Sequence, residues 1–286
     1  MSTIITTQQR EFFLPMAINA AIRAGAAILE VYPDKSNYQV DYKADQSPIT
    51  LADRRAHEII KSHLSQTRMP ILSEEGREMQ YFERKGWDLF WMVDPLDGTR
   101  EFIKGNNEFT VNIALISDNR PVMGIIYVPY FNKLYFTEKG FGSYLREGIV
   151  PNPESDLDYK EIYEGARELP LYKEPNSPLR IAISRSHNNE ATFERIELFR
   201  QLYPDAELVE QGSSYKFCLL AEGAIDYYPR TSNTYEWDTA AGEVILSEAG
   251  GVTKALPDME KFAYNKESLL NPHFVCRGAS IKDVAI

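Results

Sequence analysis

Asp94 and Asp97 flank Pro95 and Leu96 in the run Trp91-Met-Val-Asp-Pro-Leu-Asp-Gly-Thr99, a short way after Ser73-Glu74-Glu75-Gly76. Two carboxylates and the free backbone carbonyl of Leu96 are hard oxygen donors of the kind Mg²⁺ takes at roughly 2.0–2.1 Å, and no soft ligand lies among them. The same aspartates also suit an ordinary turn, where such side chains satisfy backbone groups. Glu74 and Glu75 strengthen the metal reading, because Pro70-Ile71-Leu72 reads as a short strand ending in acids; the start of a surface helix would also explain them. Gly98 lets the backbone approach a ligand closely. Thr99 reads as an N-cap for residues 100–103, whose free N–H groups would face an anion. A further acid, Asp238, falls in the first turn of the helix predicted from Glu236, where the dipole favours an anion. Plain helix capping would place an aspartate there too.

Phe90 to Val93 form a short apolar run suited to a core strand, so Asp94 is expected at the strand's end, with Pro95 forcing a turn. Tyr227 to Arg230 reads as the strand before the Asp238 helix. Upstream, apolar residues from Phe12 to Val31 recur at helical spacing, giving a long helix that should end before Pro33. Leu51, Ala56, Ile59, Ile60 and Leu64 mark a second helix. Thr110 to Ile116, Val122 to Val128 and Lys133 to Phe136 read as an antiparallel meander. Residues 151–178 hold five prolines and many acids without a sustained apolar period, which predicts an irregular connection. Beyond it come a strand over 179–184, a helix over 190–202, a strand over 206–209 and a helix over 215–221. No internal repeat is present.

The chain has 286 residues, 43% of them hydrophobic, enough for one large domain or two smaller ones. A net charge of −11 argues against nonspecific nucleic-acid binding, which uses a basic face. It also repels a phosphate ester, so such a substrate needs bound cations to invert the local field. Cys218 and Cys276 are too few and too far apart for a disulfide framework or a zinc site, and a reducing cytoplasm is the expected home. The N-terminus lacks the pattern of a secretion signal, and no segment is expected to reach the ~20 apolar residues of a spanning helix.

Glu74-Glu75, Asp94-Pro-Leu-Asp97-Gly-Thr99 and Glu236-Trp-Asp238-Thr-Ala-Ala-Gly242 resemble the three signature blocks of the lithium-sensitive, magnesium-dependent phosphatase superfamily that contains inositol monophosphatase. The likeness covers most of the chain. Arg100-Glu-Phe-Ile103, Gly212-Ser-Ser-Tyr-Lys-Phe-Cys218 and Tyr228-Pro-Arg230 are similar to its CysQ type, the 3'(2'),5'-bisphosphate nucleotidases. The resemblance implies a layered α-β-α-β-α sandwich, an α/β fold with the metal site between two halves. It implies two cations, one on Glu74, Asp94 and the Leu96 carbonyl, the other on Asp94, Asp97 and Asp238. Glu75 would serve a third cation or only support the others. Repulsion among these acids makes the site depend on cations; without them some carboxyls should take up protons or splay.

No cysteine or Ser-His pair falls in these motifs, so the nucleophile would be water. The block Ser47-Pro-Ile-Thr-Leu-Ala-Asp53 is similar to the family's, which makes Asp53 and Thr99 the candidates for orienting and deprotonating that water. Asp53 could equally be an exposed first-turn acid paired with Arg54 or His57. Gly98 and Thr99 N–H groups would hold the reacting phosphate, while Ser213, Ser214 and Lys216 would cradle the phosphate or ribose that is retained. Lys216 as a solvated helix residue, and Arg230 paired with a nearby acid rather than with substrate, are the plainer alternatives. Ser184-Arg-Ser-His187 has no assigned role. One departure stands out: CysQ-type chains carry Phe-Gly-Pro after the Pro-Arg, whereas Thr231-Ser-Asn233 stands here.

The resulting expectation is a Mg²⁺-dependent phosphatase, inhibited by lithium, that converts adenosine 3',5'-bisphosphate to AMP and phosphate. Its rivals are an inositol or sugar phosphate monoesterase with the same metal site and an inactive metal-binding protein. The substrate-contacting set is Glu74, Leu96, Asp97, Gly98, Thr99, Ser213, Ser214, Lys216, Arg230 and Asp238. Residues 1–150 would carry most metal ligands, 151–178 the connection, and 179–286 Asp238 and the nucleotide contacts. The partner is a small phosphorylated nucleotide and no nucleic-acid polymer. The resemblance leaves room for loose association with the inner face of a membrane.

Overall fold

The computed structural model describes residues 5–43, 46–150 and 156–281. Helix α1 (Thr7–Val31) opens ahead of Phe12, because Thr6 and Gln9 form a capping box, and it stops before Pro33 as predicted. A small antiparallel ribbon, β1 (Asp41–Tyr42) with β2 (Pro48–Ile49), precedes α2 (Leu51–Leu64). Thr50 and Asp53 cap α2 reciprocally.

β3 (Ile71–Ser73) and the short α3 (Tyr81–Arg84) lead to β4 (Leu89–Asp97). Here the expectation of a strand ending at Asp94 is corrected. Asp94 pairs with Asn112 and Asp97 with Thr110, so Pro95 and Leu96 oppose Val111 alone and the strand bulges instead of turning away. Proline has no N–H to give the ladder, which suits it to a bulge. Thr99 is not the N-cap either. Gly98, at φ 93°, holds that place, and α4 (Thr99–Lys104) starts at Thr99. A Cβ on Gly98 would lie 3.0 Å from the Glu108 carbonyl oxygen in a left-handed conformation, so only glycine fits without strain.

The meander runs through β5 (Thr110–Ser117), β6 (Arg120–Val128), β7 (Lys133–Glu138) and β8 (Ser143–Glu147), further than the sequence pattern reaches. Of the predicted irregular connection, residues 151–155 lie outside the described residues. The remainder is partly regular: α5 (Tyr159–Tyr163) opens with an Asp158–Glu161 capping box, and β9 (Arg167–Glu168) pairs with β8. The seven strands β3 to β9 follow in chain order across one sheet, parallel only between β3 and β4.

A second sheet takes β10 (Arg180–Ser184), then α6 (Glu190–Leu202), β11 (Glu207–Gln211), α7 (Tyr215–Glu222), β12 (Tyr227–Arg230), α8 (Glu236–Glu248), β13 (Val252–Ala255) and β14 (Phe274–Arg277). Its order is β11-β10-β12-β14-β13. The elements up to β12 fall close to their predicted places. β13 and β14 were not read from the sequence.

Alternation along β4 fixes the layering. Trp91 and Val93 join α1 and α2 in one core, whereas Phe90 and Met92 join α7 and α8 in another. Beyond the second sheet, Ile181, Ile183, Tyr227 and Val275 pack with Ile196 and Phe199 of α6. The result is five layers, helices and sheets alternating, the α-β-α-β-α sandwich expected. A sheet covered on both faces explains why every residue of β5 is buried. The expectation that no segment approaches a membrane span does not hold on composition: α1 contains an 18-residue stretch of mean hydropathy 1.6, of which 67% is buried in the fold.

Helix α8 reaches the seven-stranded sheet through Gly124 on β6, where a Cβ would lie 2.6 Å from both the Ala241 carbonyl oxygen and Val244 Cγ1. Gly124→Ala is therefore expected to push α8 outward at a cost of ~1–3 kcal/mol. The urea midpoint should fall with an unchanged slope, and a wild-type midpoint would contradict this packing.

Candidate active site

The parallel register of β3 and β4, which pairs Ser73 with Val93, brings the residues after them side by side. Glu74 N–H donates to the Val93 carbonyl at 3.1 Å, so the Glu74 and Asp94 carboxylates leave the sheet together. From the other core, the first turn of α8 contributes Asp238, whose Oδ2 accepts the Tyr235 N–H at 2.8 Å. One carboxylate oxygen from each of Glu74, Asp94 and Asp238 lies within 4.8 Å of the other two. Asp97 borders them across the bulge, its Oδ2 accepting the Ser214 N–H. The Leu96 carbonyl accepts the Thr99 hydroxyl at 3.3 Å, and Leu96 lines the same cleft.

So many acids close together, with Asp94 buried beneath the others, resist ionisation together. Burial, then the charges of Glu74, Asp97 and Asp238, hold the Asp94 carboxyl well above the usual carboxylate range. Burial followed by Asp97 and Glu74 does the same to Asp238. Asp97 is raised by burial and partly relieved by Lys216 and the Ser214 N–H. An all-oxygen donor set with uncompensated negative charge fits hard divalent cations, which would neutralise it.

One cation of the protein's own reaches this region, and sequence reasoning missed it. Lys43 Nζ donates to Glu74 Oε1 at 2.7 Å and to Glu75 Oε1 at 2.6 Å. Although burial opposes the charge, Glu74 and Glu75 hold the ammonium above its ordinary range. Burial and Glu74 push Glu75 up to about 7 against the pull of Lys43. A single lysine in a polar loop carries no sequence signal for such a role.

Asp53 is buried, which removes the alternative of an exposed acid paired with Arg54 or His57. Its Oδ2 accepts the Thr50 N–H and hydroxyl at 2.7 and 2.5 Å, and its Oδ1 accepts the Thr99 hydroxyl at 2.9 Å. Burial raises its pKa to about 6, with the Thr50 and Thr99 hydrogen bonds opposing.

The second half supplies the facing wall. Ser214 turns its hydroxyl into the core, toward Thr110 at 2.7 Å and Asn112 at 2.8 Å, and spends its N–H on Asp97. Lys216 is no solvated residue. It is buried, donating to the Gln211 and Ser213 carbonyls at 3.0 and 2.7 Å, and burial together with Arg230 lowers its pKa to about 7. Arg230 forms no salt bridge among the described residues, and its buried Nε has no hydrogen-bond partner there, so the alternative of pairing with a nearby acid falls away. The loop whose role the sequence left open fastens onto α4 and the segment that follows it. Arg185 holds Glu108 with two bonds at 2.8 and 2.7 Å, Ser186 donates to Glu101 at 2.6 Å, and His187 Nε2 lies 3.0 Å from the Arg100 guanidinium. Burial and then the Arg230 and Arg100 charges take His187 down to about 4, which leaves its ring neutral. In the departing loop, Thr231 and Ser232 donate to Asn189 and to the His187 carbonyl. Gly98, Thr99, Ser213, Lys216, Arg230 and Asp238 all line one cleft with His187 and Trp237.

A sequence profile described as the inositol monophosphatase family matches residues 9–280. The 3'(2'),5'-bisphosphate nucleotidase CysQ of Escherichia coli (strain K12) is 39% identical over 266 residues, spanning 91% of this chain and 98% of the relative. That of Haemophilus influenzae is 32% identical over 94% and 93% of the two chains. Among solved structures, CysQ from Bacteroides thetaiotaomicron, described as a bacterial member of the inositol monophosphatase family, superposes with a TM-score of 0.86 at 45% identity, over 94% of this chain and 98% of that one. An inositol monophosphatase from Zymomonas mobilis reaches a TM-score of 0.70 at 24% identity over 94% and 93%, a likeness of fold alone.

Raised carboxyl pKa values mean that the metal-free folded chain holds protons more tightly than the unfolded one. The stability these carboxyls contribute is then greatest below the ordinary carboxylate pKa of about 4 and is lost as pH rises through the raised values. Melting curves of metal-free protein should show that decline toward neutral pH, and saturating Mg²⁺ should flatten it. Metal-free Asp94→Asn is expected to melt a few degrees above metal-free wild type and to gain little from Mg²⁺. A large Mg²⁺ shift retained in Asp94→Asn would contradict the assignment.

Proposed function

The chain belongs to the inositol monophosphatase family, and on that premise we propose that it is a Mg²⁺-dependent nucleotidase acting on adenosine 3',5'-bisphosphate. Water and the bisphosphate yield AMP and inorganic phosphate. The observation that carries this reading is the convergence of Glu74, Asp94 and Asp238 on one point, in a chain whose relatives of nearly equal length are 3'(2'),5'-bisphosphate nucleotidases.

In this proposal Glu74, Asp94 and the Leu96 carbonyl would hold one cation and Asp94, Asp97 and Asp238 a second, with Glu75 serving a third or only supporting the others. Bound there, the cations supply Lewis acidity toward the phosphoryl oxygens and make water a better nucleophile. Thr99 gives its hydroxyl hydrogen to Asp53, which leaves the oxygen free to accept a proton from water. Asp53, poised at about 6, is a base matched to neutral pH at the end of that relay. Water adds to phosphorus, the bond to the 3'-oxygen breaks, and that oxygen takes a proton from a solvent water to leave as the hydroxyl of AMP, while Asp53 returns its proton to solvent. Gly98 and Thr99 N–H groups receive the transferred phosphoryl group. Ser213, Lys216 and Arg230 face the phosphate that is retained, and the unpartnered Arg230 Nε supports that role.

The proposed division of labour puts most metal ligands in residues 1–150 and Asp238 with the nucleotide contacts in residues 179–286. We place the work in a reducing cytoplasm, which two free buried cysteines suit.

Initial rates should favour adenosine 3',5'-bisphosphate over inositol 1-phosphate and fructose 1,6-bisphosphate; faster turnover of either alternative would move the enzyme to the monoesterase reading. Thr99→Val keeps the side-chain shape and removes the hydroxyl. It is expected to lower kcat by roughly 10²–10⁴-fold while the Mg²⁺-induced melting shift persists. Unchanged kcat would remove Thr99 from the mechanism.

A further inference from the structure

We propose that Tyr235, backed by Trp237, is the surface on which the substrate's purine base stacks, and so the residue that separates a nucleotide from a base-free sugar phosphate. The inference rests on the nucleotidase reading and deepens it. The two rings are stacked, with centroids 5.1 Å apart and planes inclined by 15°. Both residues line the cleft beside Asp238. Nearly parallel rings at this separation are offset-stacked, so Trp237 backs one face of Tyr235 rather than meeting it edge to face.

The two aromatics are not equivalent. Trp237 packs against the core between the sheets, whereas Tyr235 belongs to none of the three apolar clusters among the described residues and is 36% exposed. A large ring at the rim of a cleft, outside the apolar clusters of the described residues, lies within reach of a ligand in that cleft. Its backbone is tightly held. The Tyr235 N–H donates to Asp238 Oδ2 at 2.8 Å, its carbonyl accepts Asn271 Nδ2 at 2.7 Å, and the residue bridges to Leu270. The same peptide that carries the ring therefore anchors a carboxylate of the acid cluster, which fixes the stacking surface relative to the phosphorus that would react.

Chemistry elsewhere in the cleft leaves the base this wall. Arg100, His187, Lys216 and Arg230 are cationic or polar and suit phosphate and ribose. Tyr235 and Trp237 offer a flat apolar face beside them. Base–aromatic stacking weakens binding by roughly 5- to 150-fold when the ring is removed, and a cyclitol or sugar phosphate has no flat face to use it.

The test compares kcat/KM for adenosine 3',5'-bisphosphate with that for its base-free analogue, 1-O-methylribose 3,5-bisphosphate, in wild type, Tyr235→Ala and Tyr235→Phe. Wild type should prefer the nucleotide. Tyr235→Ala should cut that preference by roughly 5- to 150-fold, through KM for the nucleotide, and Tyr235→Phe should keep it. A preference unchanged in Tyr235→Ala overturns the stacking role and leaves the nucleotidase reading standing. A wild-type enzyme indifferent to the base overturns both. Should Tyr235→Ala fail to fold, Tyr235→Leu gives the same decision, with loss of preference expected and its retention contradicting the proposal.

Discussion

Carboxylates that repel one another at close range, at the floor of a cleft, are the constraint around which this molecule is organised. Glu74, Asp94 and Asp238 come within 4.8 Å, and Asp97 adds its charge to both Asp94 and Asp238. Left to themselves such groups would protonate or move apart. The three aspartates stay because each is fixed by backbone. Asp94 Oδ1 accepts the Leu96 N–H, Asp97 the Ser214 N–H, and Asp238 the Tyr235 N–H. Lys43 counters Glu74 and Glu75 from the side. Backbone N–H groups oppose the repulsion without adding charge that would compete with a divalent ion.

The five layers exist in a form that delivers these acids from both sides. Parallel pairing of β3 and β4 sets Glu74 against Asp94, and the bulge after Asp94 swings Asp97 back into register with Thr110 while leaving the Leu96 carbonyl at the cleft. Asp238 comes from α8, which is clamped between the sheets through contacts as close as Gly124 against Ala241. The loop over residues 184–187 then locks the second half onto α4 by Ser186–Glu101 and Arg100–His187, and onto the segment after α4 by Arg185–Glu108. A shift of either sheet would separate charges that function together, so packing and chemistry are one problem here.

What the sequence displays of this follows from how local each determinant is. The two acid-bearing strands and the small-residue opening of α8 are written in a few consecutive residues, and they were legible. So were β5 and β6 as strands of a meander. The bulge was not, because a proline after a strand signals a turn equally well, and the choice is made by Asn112 and Thr110 on the neighbouring strand. Lys43 was invisible for the same reason: its meaning lies in Glu74 and Glu75 about thirty residues on. The short strand β9 and the edge strand β13 carry no period long enough to register, and each exists because a partner strand offers it hydrogen bonds.

The departure at Thr231-Ser-Asn233 acquires a physical sense in this light. Where a glycine-proline turn would fix the chain by its own stereochemistry, this loop is fixed by side chains, Thr231 on Asn189 and Ser232 on the His187 carbonyl. Those partners belong to the 184–189 segment, which is itself fastened to α4. The loop beside Arg230 is therefore tied, through His187 and Arg100, to the helix that begins one residue after Gly98. Binding at the far end of the cleft and order at the metal end thus share one set of hydrogen bonds. Arg230 opens that loop as a buried guanidinium, with Nη2 donating to the Asn233 carbonyl at 3.3 Å and Nε without a hydrogen-bond partner among the described residues.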